Sequence, residues 1–452
     1  MQTPGRDVFE HLVDVVVGVD ANGTITAVAP RSSPTGTALV DDAATVVELG
    51  ASEVLLPGMV DLHVHAPQWP QLGTCLDLPL EQWLFDHTFP LEARYADPAF
   101  AAPVWADLVS TLLQHGTTTA VYFATNDETA TLALAAECLG RGQRALVGRV
   151  AMDHPDGTVE WYRDPSAAAG VAASARSIDA IRALDAGRGL VRPIVTPRFT
   201  PSCTDELLAG LGELAAATGV VVQTHASESD WAHGYALDRF GVTDTAALER
   251  FGLLRPHSVL AHAVHVTDDD TDRLIGRRVG IAHCPLSNAY FADGVLPVRR
   301  LLDRGVAVGL GTDVAGGASP SLLAQCQHAV TMSRVLEDGT DVSVPPGGRG
   351  VPASRSDIVT AFWMATTGGA TAVGLPVGLL EPGRRFDAFV VDTAAAHGNV
   401  RVWPGLDDPR LVFEKIVRLA GPGDITSTWV DGRLVSGGSG DGAASYRDAT
   451  GR

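Results

Sequence analysis

Residues 60–70 read VDLHVHAPQWP, an apolar run that carries histidine at two alternate positions and then meets proline. Side chains two residues apart on a strand point to the same side of the sheet, so His63 and His65 share one face. Pro67 follows almost directly, which places both histidines at the end of the strand. A lone histidine in such a run is most often a core residue, so a functional role for this pair requires other polar groups nearby.

Seven further apolar, β-branched runs follow the first, separated by longer segments rich in alanine, leucine and charge. Such strands alternating with amphipathic helices are typical of an α/β protein with a parallel (β/α)8 TIM-type barrel, in which both faces of every strand are covered. A doubly wound open sheet is the main alternative, but no GxGxxG motif follows the first strand. The predicted strands are 59–65, 117–124, 144–153, 191–199, 220–228, 258–265, 279–285 and 307–314, and predicted helices include 127–142, 164–186 and 204–219.

The two ends of the chain have a different pattern. Apolar and polar residues alternate there, and Asn-Gly and Asp-Gly pairs mark hairpin turns. We therefore predict a small β domain formed from residues 1–57 and 380–436, a barrel domain from 58–379, and a flexible tail from 437–452. Residues 66–99 form a long insertion after the first strand, which we predict as a loop of the kind that covers or lines a site.

The composition excludes several classes of protein. With 46% hydrophobic and 19% charged residues, the chain has the balance of a globular protein rather than of a disordered one. A formal net charge of -20 would repel nucleic acid and anionic membranes, and no apolar stretch is as long as a membrane helix. The five cysteines are scattered without a CxxC motif, so neither disulfides nor a thiolate zinc site is expected. We expect a cytoplasmic protein with a small-molecule substrate.

Ionisable residues recur where the predicted strands end, which is the edge of a barrel that carries active sites. Any one of them could be a core residue with a satisfied hydrogen bond. Together at one rim they are hard to explain in that way, since a plain core would show valine or leucine there. These residues are His63, His65, Arg198, His225, Glu228, His262, His283 and Asp313.

Imidazoles with one carboxylate and no thiolate suit a borderline divalent ion such as Zn2+, and an open coordination position makes such a site catalytic. Glu228 lies three residues after one predicted ligand, so its carboxyl can carry protons between water and substrate while staying off the metal. His262 is predicted to orient or stabilise the reacting oxygen, and the role of His283 stays open. The predicted metal ligands are His63, His65, His225 and Asp313.

The number and position of lysines in the sequence predict how many metal ions the site holds. The chain has a single lysine, Lys415, which lies after all eight predicted strands. Two-metal barrel hydrolases commonly bridge their metals with a carboxylated lysine at the end of strand four, where this chain has Arg198. The sequence therefore predicts one metal per chain and excludes a Schiff-base lysine inside the barrel.

Motifs at the strand ends resemble the amidohydrolase superfamily in its mononuclear deaminase branch: HVH, HASE, LAHA, AHCPLSN and GLGTDVAGG. More narrowly, DLPLEQWLFDHTFPLE, HGTTTAVYFAT, VTPRF and GTDVAGG are similar to the guanine deaminases, over about residues 50 to 435. The His-x-His and His-x-x-Glu elements alone identify only the superfamily. Ala263 stands where the superfamily motif is expected to have glycine.

The resemblance implies hydrolytic deamination of guanine to xanthine and ammonia by a zinc-activated hydroxide, with Glu228, His262 and Asp313 as catalytic residues. It also implies a homodimer, and it leaves iron open as the metal. Arg198 offers a planar fork that matches the O6/N7 edge of guanine, and Trp69 is a candidate wall for the ring. The residues implied to contact the substrate are Gln68, Arg198, Phe199 and His262.

Two alternatives remain at this point. Within enzymes, the substrate could be another amino- or halo-substituted heterocycle, such as 8-oxoguanine, cytosine, a pterin or a triazine. From a different class, the barrel could be a scaffold without catalytic activity. The full set of predicted ligands together with Glu228 argues against the scaffold.

Overall fold

The computed structural model describes residues 1–292 and 294–437. All eight predicted parallel strands form in the predicted order, which confirms the α/β class, although the third and fourth are each interrupted. The strands are Met59–His65, Thr117–Phe123, Arg144–Gly148 with Val150–Ala151, Val191–Pro193 with Thr196–Pro197, Gln223–Ala226, Val259–His262, Gly280–His283 and Ala307–Leu310.

In the described residues these strands pair into three parallel sheets, of four, two and four strands, rather than into one unbroken ring. Backbone hydrogen bonds join their edges. The amide of Gln223 donates to the carbonyl of Val195 at 2.9 Å, and that of Asp313 donates to the carbonyl of His63 at 2.9 Å. Because all the strands run in the same direction, their carboxyl ends gather on one side of the molecule.

Helices connect the strands and cover their outer faces. The three helices predicted above form at Glu128–Arg141, Ala167–Asp185 and Asp205–Thr218. The first begins where the Asp127 carboxylate accepts a hydrogen bond from the amide of Ala130 at 2.8 Å, and it ends at Gly142 with φ of 80°. Other helices are Pro34–Asp41, Pro98–Gln114, Asp230–Phe240, Asp244–Arg250, Asp268–Arg277, Pro285–Phe291, Val298–Arg304, Leu322–Asp338, Ile358–Trp363 continued through Met364–Gly368 and Gly369–Ala372, and Pro409–Leu419.

The insertion after the first strand is helical rather than the loop predicted from sequence. Several of its apolar side chains, Trp83 and Phe89 among them, are buried, and this burial stabilises turns too short to persist alone. We call residues 66–96 the cap segment. Its helical turns are Ala66–Gln71, Leu80–Trp83, Leu84–Thr88, Phe89–Glu92 and Ala93–Ala96.

Strands from both ends of the chain form a four-stranded antiparallel sheet, in which Ala388–Asp392 pairs with Glu53–Pro57. Its other members are Ile425–Val430 and Arg433–Gly437, and two hairpins precede it in the chain, Gln2–Gly5 with Val8–Glu10 and Val15–Val19 with Ile25–Pro30. Of the predicted flexible tail, residues 438–452 lie outside the described part of the chain. None of the helices in that part is both long and apolar enough to span a bilayer.

Gly148 marks a close approach between neighbouring strands. A Cβ atom at this position would lie 1.8 Å from the hydroxyl oxygen of Thr196 and 2.7 Å from the carbonyl oxygen of Ile194. We therefore expect Gly148→Ala to lower the free energy of unfolding by about 1–3 kcal/mol, the usual cost of overpacking. Chemical denaturation measures the change.

The matched control is Gly140→Ala, in the helix Glu128–Arg141, where an added Cβ meets nothing within 4 Å. This substitution is expected to stabilise the protein by about 0.5–1 kcal/mol, because alanine loses less backbone entropy than glycine in a helix. Equal effects of the two substitutions would contradict the packing assigned to Gly148.

Candidate active site

The predicted metal ligands come together in one buried cluster at the carboxyl ends of the strands. The Nε2 atoms of His65 and His225 lie 2.8 Å apart. Asp313 Oδ1 lies 3.2 Å from His63 Nε2 and 3.6 Å from His65 Nε2. Side chains from the first, fifth and last strands, which are far apart in the chain, therefore lie close together.

Hydrogen bonds fix how the imidazoles face the cluster. His225 Nδ1 lies 2.6 Å from the carbonyl oxygen of Arg198, to which it donates, so its Nε2 lone pair points to the centre. The Nε2 atoms of His63 and His262 are buried and have no hydrogen-bond partner among the residues that the structure describes. Because an unpaired buried polar atom is costly, the unpaired Nε2 of His63, beside His65, His225 and Asp313, fits a divalent metal ion held by these four side chains.

Burial sets the charge state of the cluster. It lowers the pKa of the His63, His65 and His225 imidazoles well below the usual value, and the neutral imidazole is the form that binds metal. Burial, with a contribution from the charge of Asp313, raises the pKa of Glu228 well above that of an ordinary glutamate. A carboxyl group of that kind can hold a proton near neutral pH.

Glu228 and His262 lie next to the predicted ligands. Glu228 Oε1 is 3.5 Å from His262 Nε2, and Asp313 Oδ2 is 3.8 Å from the same nitrogen. His262 Nδ1 is 2.9 Å from Asn288 Oδ1, a partner that the sequence analysis did not identify although the residue lies in the quoted AHCPLSN motif. His283 is buried at the end of the seventh strand, and burial lowers its pKa to about 3.

The backbone is strained at this site. His262 and Asp313 have φ of 69° and 50°, and Ser227, directly before Glu228, has φ of 48°. Residues other than glycine adopt this left-handed conformation mainly where the surrounding structure imposes it, often at functional sites. At Ser227 the Asp244 carboxylate supports this conformation by accepting a hydrogen bond from the backbone amide at 2.9 Å, and it also accepts from the Thr200 hydroxyl at 2.8 Å.

A cavity opens beside the cluster. The cavity is lined by three of the predicted substrate contacts, Gln68, Arg198 and Phe199. The fourth, His262, is not among the lining residues. Trp69 does not line the cavity either, because its indole N–H is turned outward and donates to Asp107 at 2.7 Å. The remaining lining residues are His65, Leu80, Trp83, Leu84, His225, Glu228, Phe291, Asp313 and Gly316.

Arg198 forms an ion pair with the buried carboxylate of Glu92, which was not among the site residues predicted from sequence. Its Nη1 and Nη2 atoms donate to Glu92 of the cap segment at 2.5 and 3.0 Å, and its Cζ lies 4.9 Å from the centre of the Phe89 ring. Burial alone would lower the pKa of the guanidinium, but the charge and hydrogen bonds of Glu92 raise it. One N–H group on each Nη atom of Arg198 therefore points to Glu92. The other N–H groups of the guanidinium are the ones that can bind a substrate.

We expect Arg198→Met to destabilise the protein by about 3–5 kcal/mol, because it would leave the Glu92 carboxylate buried without its cation. The control is Arg176→Met, which breaks an equally bidentate pair with Glu128 at 2.7 and 2.9 Å. That pair is exposed, with 63% and 38% of the two side chains accessible, so its loss should leave the melting temperature unchanged. Thermal melts of both variants measure these effects. Equal melting temperatures would contradict the stabilisation assigned to the buried Arg198–Glu92 pair.

Comparison with known proteins shows which family the chain belongs to. Residues 54–435 match the model of the amidohydrolase family. The chain belongs to the amidohydrolase family. Curated relatives in this family include guanine deaminase of Mus musculus, 35% identical over 395 residues that cover 86% of this chain and 84% of the relative. Guanine deaminase of Dictyostelium discoideum is 33% identical over 406 residues, covering 88% and 85%.

A solved amidohydrolase structure is similar over nearly the whole chain. It is the crystal structure of guanine deaminase from C. acetobutylicum with guanine bound in the active site. The TM-score is 0.84 at 28% sequence identity, and the match covers 96% of this chain and 97% of that one.

Proposed function

We infer that this chain is a metal-dependent hydrolase that converts guanine and water to xanthine and ammonia. The guanine deaminases among its relatives support this substrate, as does the similar structure that holds guanine. The observation that carries the proposal is the lining of the cavity, which includes Glu228, two imidazoles and Asp313 together with Gln68 and Arg198. Hydrolytic chemistry and recognition of a polar planar base are thereby combined in one small space.

His63, His65, His225 and Asp313 would hold one zinc ion, since three imidazoles and a carboxylate without thiolates suit Zn2+. Iron has the same ligand preferences and stays the alternative. When bound, such an ion lowers the pKa of water and so provides a nucleophile near neutral pH.

Glu228 carries the protons in this reaction. Its carboxylate accepts a proton as water adds to C2 of guanine and delivers it to ring N3. It then takes the remaining proton from the oxygen that has added to C2 and passes it to the amino group, which leaves as ammonia while that oxygen becomes the new carbonyl of xanthine. His262, 3.5 Å from Glu228, and Asp313 lie where they can orient and stabilise the oxygen that adds to the ring.

Arg198, Gln68 and Phe199 bind the base in this proposal. The guanidinium N–H groups that Glu92 leaves free donate to O6 of guanine, and the Gln68 amide binds the amidine side of the ring. Phe199 packs against the face of the ring. The apolar residues of the cap segment, among them Trp83, exclude bulk water from the reacting atoms.

We further propose that the three parallel sheets form one (β/α)8 barrel, supported by the backbone hydrogen bonds that join their edges. The barrel corresponds to residues 58–379, and the antiparallel strands of 1–57 and 380–436 form the small β domain. The five cysteines are free thiols, which supports a reducing, cytoplasmic location. The homodimer is proposed on the family resemblance alone.

The test is a spectrophotometric assay of guanine conversion to xanthine, with and without a metal chelator and with zinc or iron restored afterwards. We expect turnover that the chelator abolishes and one of the metals restores. A panel of 8-oxoguanine, cytosine, a pterin and a triazine, followed by release of ammonia or halide, checks the substrate. Preference for one of these compounds over guanine would overturn the proposal.

A further inference from the structure

Glu92 lies outside the cavity but contacts two of the polar side chains that line it. It is 1% exposed and belongs to the cap segment, as does Gln68 directly after the first strand, whereas Arg198 follows the fourth strand. Glu92 Oε2 accepts from Arg198 Nη1 at 2.5 Å, and Glu92 Oε1 accepts from Arg198 Nη2 and Gln68 Nε2, each at 3.0 Å. One carboxylate outside the cavity therefore binds both Arg198 and Gln68, the two polar residues proposed to recognise the substrate.

These contacts determine which way the guanidinium faces. Of the five N–H donors of an arginine, Glu92 takes two from the terminal edge, one on each Nη atom. Two parallel hydrogen bonds prevent rotation about the last bond of the side chain. The plane of Arg198 is thus fixed, and the N–H groups that remain keep a constant direction at the wall of the cavity.

The amide of Gln68 is fixed in the same way. Its Nε2 donates to Glu92, and its Oε1 accepts from the backbone amide of Ala315 at 3.2 Å. Turning the amide over would place its oxygen against the carboxylate and its NH2 against another N–H group. Both contacts would be repulsive, so Glu92 determines which end of the Gln68 amide acts as donor toward the cavity.

We propose that Glu92 is a positioning residue for substrate recognition, which holds Arg198 and Gln68 so that purines with an oxygen at position 6 are preferred over purines without one. A guanidinium only donates, so it is matched by the O6 acceptor of such a base. A base with hydrogen at that position would leave buried N–H groups unpaired, which makes hydrogen-bonding sites selective. This inference rests on the proposed function, because it assumes that the cavity binds a purine.

The experiment compares guanine with 2-aminopurine, which keeps the 2-amino group and lacks O6. For the Glu92→Gln variant we expect the ratio of kcat/KM for guanine to that for 2-aminopurine to fall about ten-fold or more, mainly through a higher KM for guanine. Metal content should equal that of the wild type. The control is Glu213→Gln, an exposed glutamate on the helix Asp205–Thr218, which should keep the wild-type ratio.

Glu92→Asp is the second variant, because it keeps the charge and moves the carboxylate back by one methylene. A positioning role predicts a raised KM for guanine in this variant too. An unchanged preference in either folded variant would overturn the proposal, as would failure of both to fold, which would make Glu92 a stability residue only. If the wild type did not deaminate guanine, the proposed function would fail, and calorimetric binding of guanine to wild type and Glu92→Gln would still test the role of Glu92.

Discussion

Glu228→Gln is expected to lower kcat for guanine by about 10²- to 10⁴-fold, the range that a general acid-base residue contributes. The amide keeps the shape of the side chain but can neither accept nor return a proton. Glu228 lines the cavity, lies 3.5 Å from His262 Nε2, and has its pKa raised by burial and by Asp313. Turnover is measured by loss of guanine absorbance, together with metal content by elemental analysis.

Glu213→Gln serves as the control for this substitution, because it makes the same chemical change at an exposed position. It should have wild-type kcat and metal content. Near-normal turnover by Glu228→Gln with stoichiometric metal would remove Glu228 from the mechanism. Loss of the metal in that variant would assign the carboxylate to the metal site instead.

His63→Ala is expected to remove most of the bound metal and to lower kcat/KM more than about 100-fold. Loss of a group that only supports a metal ligand typically costs 10- to 100-fold, so loss of a ligand itself should cost more. His63 Nε2 is buried, has no hydrogen-bond partner within the described part of the chain, and lies 3.2 Å from Asp313 Oδ1, as expected of a metal ligand. Metal titration followed by activity assay provides the measurement.

His397→Ala is the corresponding control, because His397 is exposed on a loop remote in sequence from the parallel strands. This variant should bind metal and turn over guanine as the wild type does. Circular dichroism of both variants separates metal loss from unfolding. Wild-type metal affinity in folded His63→Ala would show that the cluster binds no metal through this residue.

The parallel strands were predictable from sequence because each is apolar, short and bounded by glycine or proline. The first strand agrees with its prediction at both ends, Met59 and His65. The alternation of His63 and His65 was enough to place them on one face, and the strand ends located Asp313 and His225 nearby. The chemistry of such a site follows from residue type and strand position, both of which are local properties of the sequence.

What the sequence could not predict depends on contacts between distant segments. Glu92 and Arg198 are 106 residues apart, and nothing in the spacing of charges in the cap segment distinguishes Glu92 from its exposed neighbours. The cap segment itself was expected to be a loop, since its turns are too short to produce a helical period. Asp244 and Asn288 were missed for the same reason. Each lies in a helix and acts through a hydrogen bond to a residue at the end of a strand, Ser227 and His262 respectively.

The pairing of Glu53–Pro57 with Ala388–Asp392 has a consequence for biosynthesis. The first of these strands leaves the ribosome long before its partner has been translated, and its backbone groups then form an open sheet edge. Open edges favour pairing with other chains, and contacts between distant segments slow folding. We therefore expect truncation before residue 388, which removes the partner strand, to cause aggregation rather than to give a smaller active enzyme.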